Sequence, residues 1–370
     1  MYKIIEVSSD TNIGGAGKCL LALLENFDRT AFDVSVILPK NSLLRPLVED
    51  LGVFVTEVDG IADRSLDWKA VSSLKRIFKE QKPDLVHTHA SMSARIAARQ
   101  AGAKVVYTRH SVFPPPAKIS KGIGKIVNGW VNNYLSDGII AVAEAAKENL
   151  TDTGVSQKKI QVILNGVKGL EPVPEGQKEK IRKRFGVAKE EKVISIVARL
   201  EDIKGHDYFI EAADALLQKG IQAKFLIAGT GSYEPHLKEK VQQLGRENEI
   251  VFTGFITDVD QLMNITDVQV NASFGTEATS LALLEGMSLG IPAVVSDFGG
   301  NPGVIQDGKN GFIVPKKQAG PLAEKLELLL ADPRLYEHLS HQAKEIFKTT
   351  FTAEAMTRNT EALYRAVIGK

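Results

Sequence analysis

Short β-branched, apolar runs recur through the first half of the chain, at Lys3–Val7, Val34–Leu38, Leu85–Thr88, Lys104–Thr108 and Gly138–Val142. Between them the apolar positions take helical spacing, at Ala16–Asn26, Trp68–Lys79, Ser91–Ala101 and Ile119–Leu135. Near-continuous apolar strands alternating with amphipathic helices predict a parallel sheet covered on both faces. After the loop Asn165–Gly176 the pattern restarts. A charged helix is followed by Val193–Val197, a helix from His206, Ala223–Ala228 and a helix from Pro235, then Ile250–Thr253, Val268–Val270 and Ala293–Ser296. The expected fold is therefore α/β, with two tandem Rossmann-like, doubly wound domains at 1–168 and 169–351. The C-terminal segment 352–370, helical over Thr352–Ile368, is expected to pack back on the first. Open α/β sheets bind ligands at the carboxyl ends of their strands. Two such edges facing across a cleft imply one ligand per domain and a reaction between them.

Composition narrows this picture. A chain of 370 residues with 44% hydrophobic and 25% charged residues is too apolar to be largely disordered, and its length suits two cores. The net charge of +1 gives no global case for nucleic acid. The charge is uneven, however: residues 1–168 hold 22 Lys and Arg against 17 Asp and Glu, and the remainder 24 against 28. A basic first half suggests that it meets something anionic. One cysteine, Cys19, excludes a disulfide framework and a Cys-rich metal site. The opening MYKIIEVSSD reads as a buried strand and not as a signal peptide, and no apolar run approaches 18 residues. A cytoplasmic protein, or one on the cytosolic face of a membrane, is expected.

The richest chemistry lies in SFGTEATSLALLEGMSLG, residues 273–290. A strand ends near Asn271, a Gly/Thr/Ser loop follows, and a helix begins near Thr279–Ser280, whose free amides offer an anion site. Glu277 sits in the loop, and Glu285 lies about 7.5 Å along the helix axis. The two carboxylates can therefore hold hydroxyls on either side of a bound diphosphate. The alternative is that Glu277 favours the helix dipole and Glu285 is a solvated helix residue. The core-like neighbours of Glu285 demand a partner for it. Arg199 and Lys204, in the loop VARLEDIKGH after a strand, can clamp a diphosphate or form a charged surface loop. In the first half, Asn12–Lys18 (NIGGAGK) fits neither the P-loop nor the dinucleotide pattern. It leaves a glycine turn, Gly14-Gly15, at which a backbone can approach a ligand or simply turn tightly. His87, His89 and His110 fall at strand ends, with His87 and His89 on one face towards the cleft. A metal reading of that pair lacks any carboxylate or Cys at ligand spacing. His110, after Arg109, is better placed to handle a hydroxyl proton or a phosphate. Asp297-Phe298-Gly299 copies a kinase triplet without its companions, and Asp258-Val259-Asp260 reads as a helix N-cap. Lys118–Val131 (KISKGIGKIVNGWV) reads as one amphipathic helix. Ile119, Ile123, Ile126, Val127 and Trp130 form one side, with Lys118, Lys121 and Lys125 beside them. Such a helix can lie on an anionic membrane, and ordinary core helices share the pattern.

In order and spacing these pieces resemble the retaining family-4 glycosyltransferases of GT-B fold, in the glycogen synthase-like superfamily. Glu277-x7-Glu285 is similar to that family's paired glutamates, and Arg199 with Lys204 to its diphosphate-binding pair. Gly229-Thr230-Gly231, Phe252-Thr253-Gly254 and Asn165-Gly166-Val167 are similar to further landmarks. Thr279 and Ser280 depart from the family's bulky aromatic and Gly, and Gly303 from a frequent Glu. The departures bear on the donor sugar more than on the diphosphate site.

The resemblance implies an enzyme that moves a sugar from a nucleotide-diphospho-sugar, such as a UDP- or GDP-sugar. The receiving hydroxyl would belong to a glycan or lipid-linked acceptor in cell-envelope polysaccharide or glycolipid synthesis. It implies that Glu285 binds ribose and Glu277 the transferred sugar. The amides near Ser280 and Leu281, with Arg199 and Lys204, would hold the diphosphate, and Gly229 and Gly254 would belong to the donor side. Gly15 would approach the donor phosphates across the cleft, and Gly14, His89 and His110 would stand on the acceptor side, His110 nearest the reacting groups. No metal or other cofactor and no nucleic-acid partner is expected. Two other readings are a sugar-nucleotide-binding protein without transferase activity and a nicotinamide-dependent oxidoreductase. The absence of G-x-G-x-x-G after the first strand argues against the latter.

Overall fold

The computed structural model describes residues 1–62 and 65–369. The chain divides into two compact units, Met1–Val167 with Thr352–Lys370, and Lys168–Phe351. The first carries β1 (Tyr2–Ser8), β2 (Phe32–Pro39), β3 (Phe54–Val58), β4 (Leu85–His89), β5 (Lys104–Arg109), β6 (Gly138–Ala141) and β7 (Ile160–Val162). They form one parallel sheet in the order β3-β2-β1-β4-β5-β6-β7. The second carries β8 (Lys192–Val197), β9 (Ala223–Ala228), β10 (Ile250–Gly254), β11 (Val268–Asn271), β12 (Ala293–Ser296) and β13 (Gly311–Val314). These are also all parallel, in the order β10-β9-β8-β11-β12-β13. Each is a Rossmann-like sheet whose strand order reverses once, between β1 and β4 and between β8 and β11. A crevice opens at such a reversal, beyond the carboxyl ends of the strands.

Apolar strands make the core because both sheet faces are covered. Ile4, Leu20, Leu24, Phe32, Leu85 and Tyr364 pack on one face of the first sheet, and Ile5, Val7, Leu74, Phe78 and Val105 on the other. Tyr364 belongs to the helix Ala353–Ile368, which returns from the second unit and buries Met356, Leu363 and Val367 against the first. Thr352 caps that helix by accepting the Ala355 N–H. In the second unit Ile194, Ile196, Phe209, Phe225 and Leu326 share one core.

Three strands lie outside the sequence pattern: β3, β7 and β13. All three are edge strands, and β3 and β7 carry polar residues, Thr56 with Glu57 and Gln161, within their runs. The single helix expected over 118–131 is instead two, Ala117–Ser120 and Gly122–Leu135, separated where Lys121 is extended (φ −132°, ψ 153°). Gly122 and Gly124 are poor helix formers at that point. The orientation is also reversed from that of an ordinary core helix. Ile123, Ile126, Val127, Trp130 and Tyr134 are exposed, while Gly129, Asn132 and Leu135 are buried. Asp258 stands at the N-cap position of Val259–Ile265 as expected, although its side chain makes no capping bond.

Candidate active site

In the second unit the loops after β8 and β11 are pressed together at the reversal of strand order. Gly205 has φ 74°, and a Cβ there would lie 2.1 Å from Ala272 O, so only glycine lets the two loops approach. The Phe274 N–H donates to Ile203 O at 2.9 Å. This close approach carries Lys204 to Glu277. The Lys204 Nζ donates to Glu277 Oε2 at 3.1 Å and to Thr276 O at 2.8 Å. Asn271 Nδ2 and Ser273 Oγ, both buried, donate to the same Oε2 at 3.2 Å each. Three donors thus converge on one oxygen and leave Oε1 outside the set. The backbone of Glu277 is fixed as well. Its carbonyl accepts the Gly300 N–H at 3.0 Å, and Gly299, at φ 60°, comes so near that a Cβ would lie 2.1 Å from that carbonyl.

Four residues later the helix Leu281–Leu289 begins. Ser280 is its N-cap and takes the Leu283 N–H at 3.4 Å. The first-turn amides, including that of Leu281, are those an α-helix leaves without internal acceptors. Glu285 is the fifth residue of this helix and half-buried. Arg199 does not join Lys204 in a clamp. Its side chain is 70% exposed and paired with Glu201 at 2.7 Å. Gly229 and Gly254 brace this loop region: the Gly229 N–H donates to Gly254 O, and the Leu200 N–H to Thr230 O, both at 2.9 Å. His206, just beyond Gly205, is fully buried, and burial pushes its pKa down to about 4.

In the first unit the corresponding reversal gathers a proton-bearing network. Glu6, in the middle of β1, is wholly buried and registers with His87 of β4. Its Oε2 lies 2.9 Å from His87 Nδ1 and 3.1 Å from His89 Nε2, and its Oε1 accepts the Tyr364 hydroxyl at 2.7 Å. His87 Nε2 lies 2.6 Å from Thr108 Oγ1, and His89 Nδ1 lies 2.7 Å from His110 Nε2. Burial raises the Glu6 pKa, but His87 and His89 outweigh it, so the carboxyl stays below its usual range and ionised. Burial lowers the His87 pKa against the pull of Glu6. His110 is held well below the usual histidine range by burial, then by His89 and His87. With His87 and His110 neutral, the hydrogens of the network follow from its partners. His87 Nδ1 and His89 Nε2 carry hydrogens towards Glu6, His87 Nε2 accepts from Thr108, and His89 Nδ1 accepts from His110 Nε2–H. His110 Nδ1 is then an acceptor, oriented by a carboxylate two rings away.

Sequence reasoning expected His87 and His89 to point together towards the cleft, and the structure corrects this: both are buried, at 1% and 5% exposure, and His87 lies against Tyr364. It also found no carboxylate within ligand spacing of the histidine pair, whereas the sheet supplies Glu6. Glu6, His87 and His89 present three ligand atoms within 4.8 Å of one another, and here these groups hydrogen-bond among themselves. Glu6 was signalled only as the one carboxylate inside the strand run KIIEV, and Tyr364 by nothing local. Gly14 is the N-cap of the helix Gly15–Asn26, and neither Gly14 nor Gly15 has any heavy atom within 4 Å of a Cβ position. Neither adopts a positive φ. The turn itself therefore does not require glycine.

The comparisons with known proteins match both units. The model for glycosyl transferases group 1 matches residues 177–346, and that for Glycosyltransferase Family 4 matches residues 13–168. The chain belongs to the family 4 glycosyltransferases. Among relatives of this glycosyltransferase, the UDP-Gal:alpha-D-GlcNAc-diphosphoundecaprenol alpha-1,3-galactosyltransferase of Escherichia coli is 28% identical over 326 residues, 84% of each chain. Anabaena HepE, solved in complex with UDP, superposes with a TM-score of 0.85 at 23% identity, covering 98% of this chain and 100% of that one. A glycosyltransferase of Rickettsia africae superposes at 0.86 with 21% identity, covering 99% and 98%. The fold is GT-B.

Proposed function

We propose that this glycosyltransferase transfers a hexosyl group from a nucleotide-diphospho-sugar to a glycan or lipid-linked acceptor, with retention at the anomeric carbon, in building a cell-envelope polysaccharide or glycolipid. The second unit binds the donor. The observation that carries this is the Lys204–Glu277 pair at the N-terminus of the helix Leu281–Leu289, a cation and a fixed carboxylate beside free amides. Lys204, Arg199 and those amides neutralise the charge that grows on the departing diphosphate. Glu285 takes the ribose hydroxyls and Glu277 Oε1 a hydroxyl of the transferred sugar. Glu277 is a positioning residue here, because Oε2 is already occupied by three donors. The leaving phosphate oxygen accepts the incoming hydroxyl's proton on the same face, which preserves configuration without a protein nucleophile. His110 Nδ1 accepts a hydrogen bond from a substrate hydroxyl. The names of the Escherichia coli relative and of the HepE complex support a UDP-linked donor and a lipid-linked acceptor.

Glu285→Gln and Arg199→Ala should each abolish transfer while leaving the circular dichroism unchanged, and normal turnover by both would refute the site. A glycosyl ester trapped on Glu277 would overturn the mechanism. Because Lys204 and the amides neutralise the departing diphosphate, activity should survive EDTA dialysis, and loss restored by a divalent ion would refute that part. A thermal-shift panel of nucleotide sugars should identify the donor, since only a ligand of the native state raises its stability.

No helix among the described residues is long and apolar enough to cross a membrane. The outward face of Gly122–Leu135 suits peripheral contact on the cytosolic side. Trp130 and Tyr134 stack at 5.7 Å beside exposed Ile123 and Ile126, with exposed Lys118 and Lys121 flanking them. Flotation should recover the protein with anionic vesicles. Equal recovery with neutral ones, unaltered by Lys118→Glu and Lys121→Glu, would refute this.

A further inference from the structure

The first unit holds a cavity of about 400 Å³ at the carboxyl edge of its sheet, between the start of the helix Met92–Ala101 and the helices Gly122–Leu135 and Glu144–Asp152. Its charged lining among the described residues is two arginines and no carboxylate. Arg95 is 3% exposed. Its guanidinium lies 4.4 Å from the Tyr107 ring centroid and donates to Asn132 Oδ1 at 2.9 Å, while its Nε has no partner among the described residues. Arg109, half-buried, donates from Nε to Ser111 O at 3.0 Å and from Nη2 to Asn149 Oδ1 at 3.3 Å, with Phe113 beneath it. Every partner named above is neutral, so among the described residues two positive charges share one cavity without a counterion.

A structural strut does not require this. One arginine stacked on a tyrosine and bonded to an amide can tie two helices together. A second guanidinium beside it adds repulsion, and burying a cation without an anion is costly. Burial, with the charge of Arg109 adding to it against Tyr107, holds Arg95 below its ordinary pKa. The backbone is also strained at the rim: Ala90, which lines the cavity between β4 and its helix, has φ 72°. The excess of basic residues in this half of the chain points the same way.

We propose that this cavity binds the phosphate or diphosphate group of the acceptor, with Arg95 and Arg109 as its ligands. A planar guanidinium pair suits phosphoryl oxygens, and each retains N–H groups for them. That the anion belongs to the acceptor rests on the transferase reading above; that the cavity takes a phosphoryl anion does not.

Calorimetry with inorganic pyrophosphate on the whole chain tests it. The wild type should show two binding events, one at these arginines and one at the donor site. Arg109→Gln should weaken one of them at least tenfold, Arg109→Lys less so, and Arg199→Ala should weaken the other. Arg95→Gln should act like Arg109→Gln, and if it fails to fold, the partly exposed Arg109 carries the test. An Arg109→Gln isotherm superimposable on the wild type overturns the proposal, as does an absence of pyrophosphate binding. If Arg109→Gln removes an event and Arg199→Ala removes none, the donor reading fails and this one stands. Farnesyl diphosphate and farnesol separate the sources. Binding of the diphosphate tighter than pyrophosphate marks a lipid-linked group, and equal binding marks a soluble phosphate ester. Farnesol binding as tightly as its diphosphate would refute phosphoryl recognition.

Discussion

Replacing Tyr364 by Phe removes one atom from the most deeply buried polar network of the first unit. The ring would stay where it is, packed 6.1 Å from Phe27 and 6.2 Å from Phe32, so no cavity larger than an oxygen opens. The hydroxyl it loses donates to Glu6 Oε1 at 2.7 Å and lies 2.5 Å from His87 Nδ1. Burial and the nearby Glu6 charge hold the Tyr364 pKa well above its usual value, so this hydroxyl is a donor at every pH of interest. Glu6 is ionised with no exposure to solvent. Leaving one oxygen of a buried carboxylate without its donor should cost about 2–3 kcal/mol, towards the upper end for an unsatisfied group. In a unit of this size that lowers the melting temperature by about 4–12 °C. Thermal unfolding followed by circular dichroism at pH 7.5, with Tyr364→Leu as the cavity control, measures it. A Tyr364→Phe midpoint within 1 °C of the wild type would refute the reasoning, because it would mean that Glu6 does not depend on that bond.

Acid should weaken the same unit. The folded pKa values of His87 and His110 lie below the ordinary 6.5, so the unfolded chain binds protons first and stability falls as pH drops through that value. Each such histidine contributes a slope of up to about 1.4 kcal/mol per pH unit. Glu6, held below 4.5, continues the loss in the same direction at lower pH. Asp10, raised by burial against His89, opposes it weakly. Urea midpoints that stay flat from pH 7 to 5.5 would refute this. Gly299→Ala should cost more than about 2 kcal/mol, because the new Cβ meets backbone in a left-handed conformation. It should also weaken nucleoside diphosphate binding by displacing Glu277, and a variant with wild-type affinity by calorimetry would contradict the role given to that turn. His110→Phe should lower kcat with little change in donor affinity, and unaltered kcat would remove His110 from the chemistry.

The two sites were not equally legible, and the reason is topological. Almost everything that shapes the proposed donor site comes from two contiguous segments, Arg199–Gly205 and Asn271–Glu285, each leaving one strand and entering one helix. Their spacing along the chain is their spacing in space, so a reader of the sequence can place a carboxylate before a helix and another within it. Even there the pairing of Lys204 with Glu277 was not visible, because it depends on Gly205 letting two loops touch. The network of the first unit is assembled from segments far apart in the chain: Glu6 from β1, His87 and His89 from β4, His110 just after β5, and Tyr364, 358 residues after Glu6, from the last helix. Glu6 is the one carboxylate of its strand, while the histidines sit among Thr, Arg and Ser at strand ends. Only the parallel register Glu6↔His87 and the return of the last helix make them one network. The same holds for Arg95 and Arg109, which read as ordinary helix and strand-end cations until the fold closes a cavity around them. A local motif survives as a recognisable string when one turn positions all its parts. A site distributed over several strand ends leaves only residues of the wrong polarity for their surroundings. A charge inside a short apolar strand is therefore the signal to pursue in such sheets, since its burial is tolerable only if distant residues meet it.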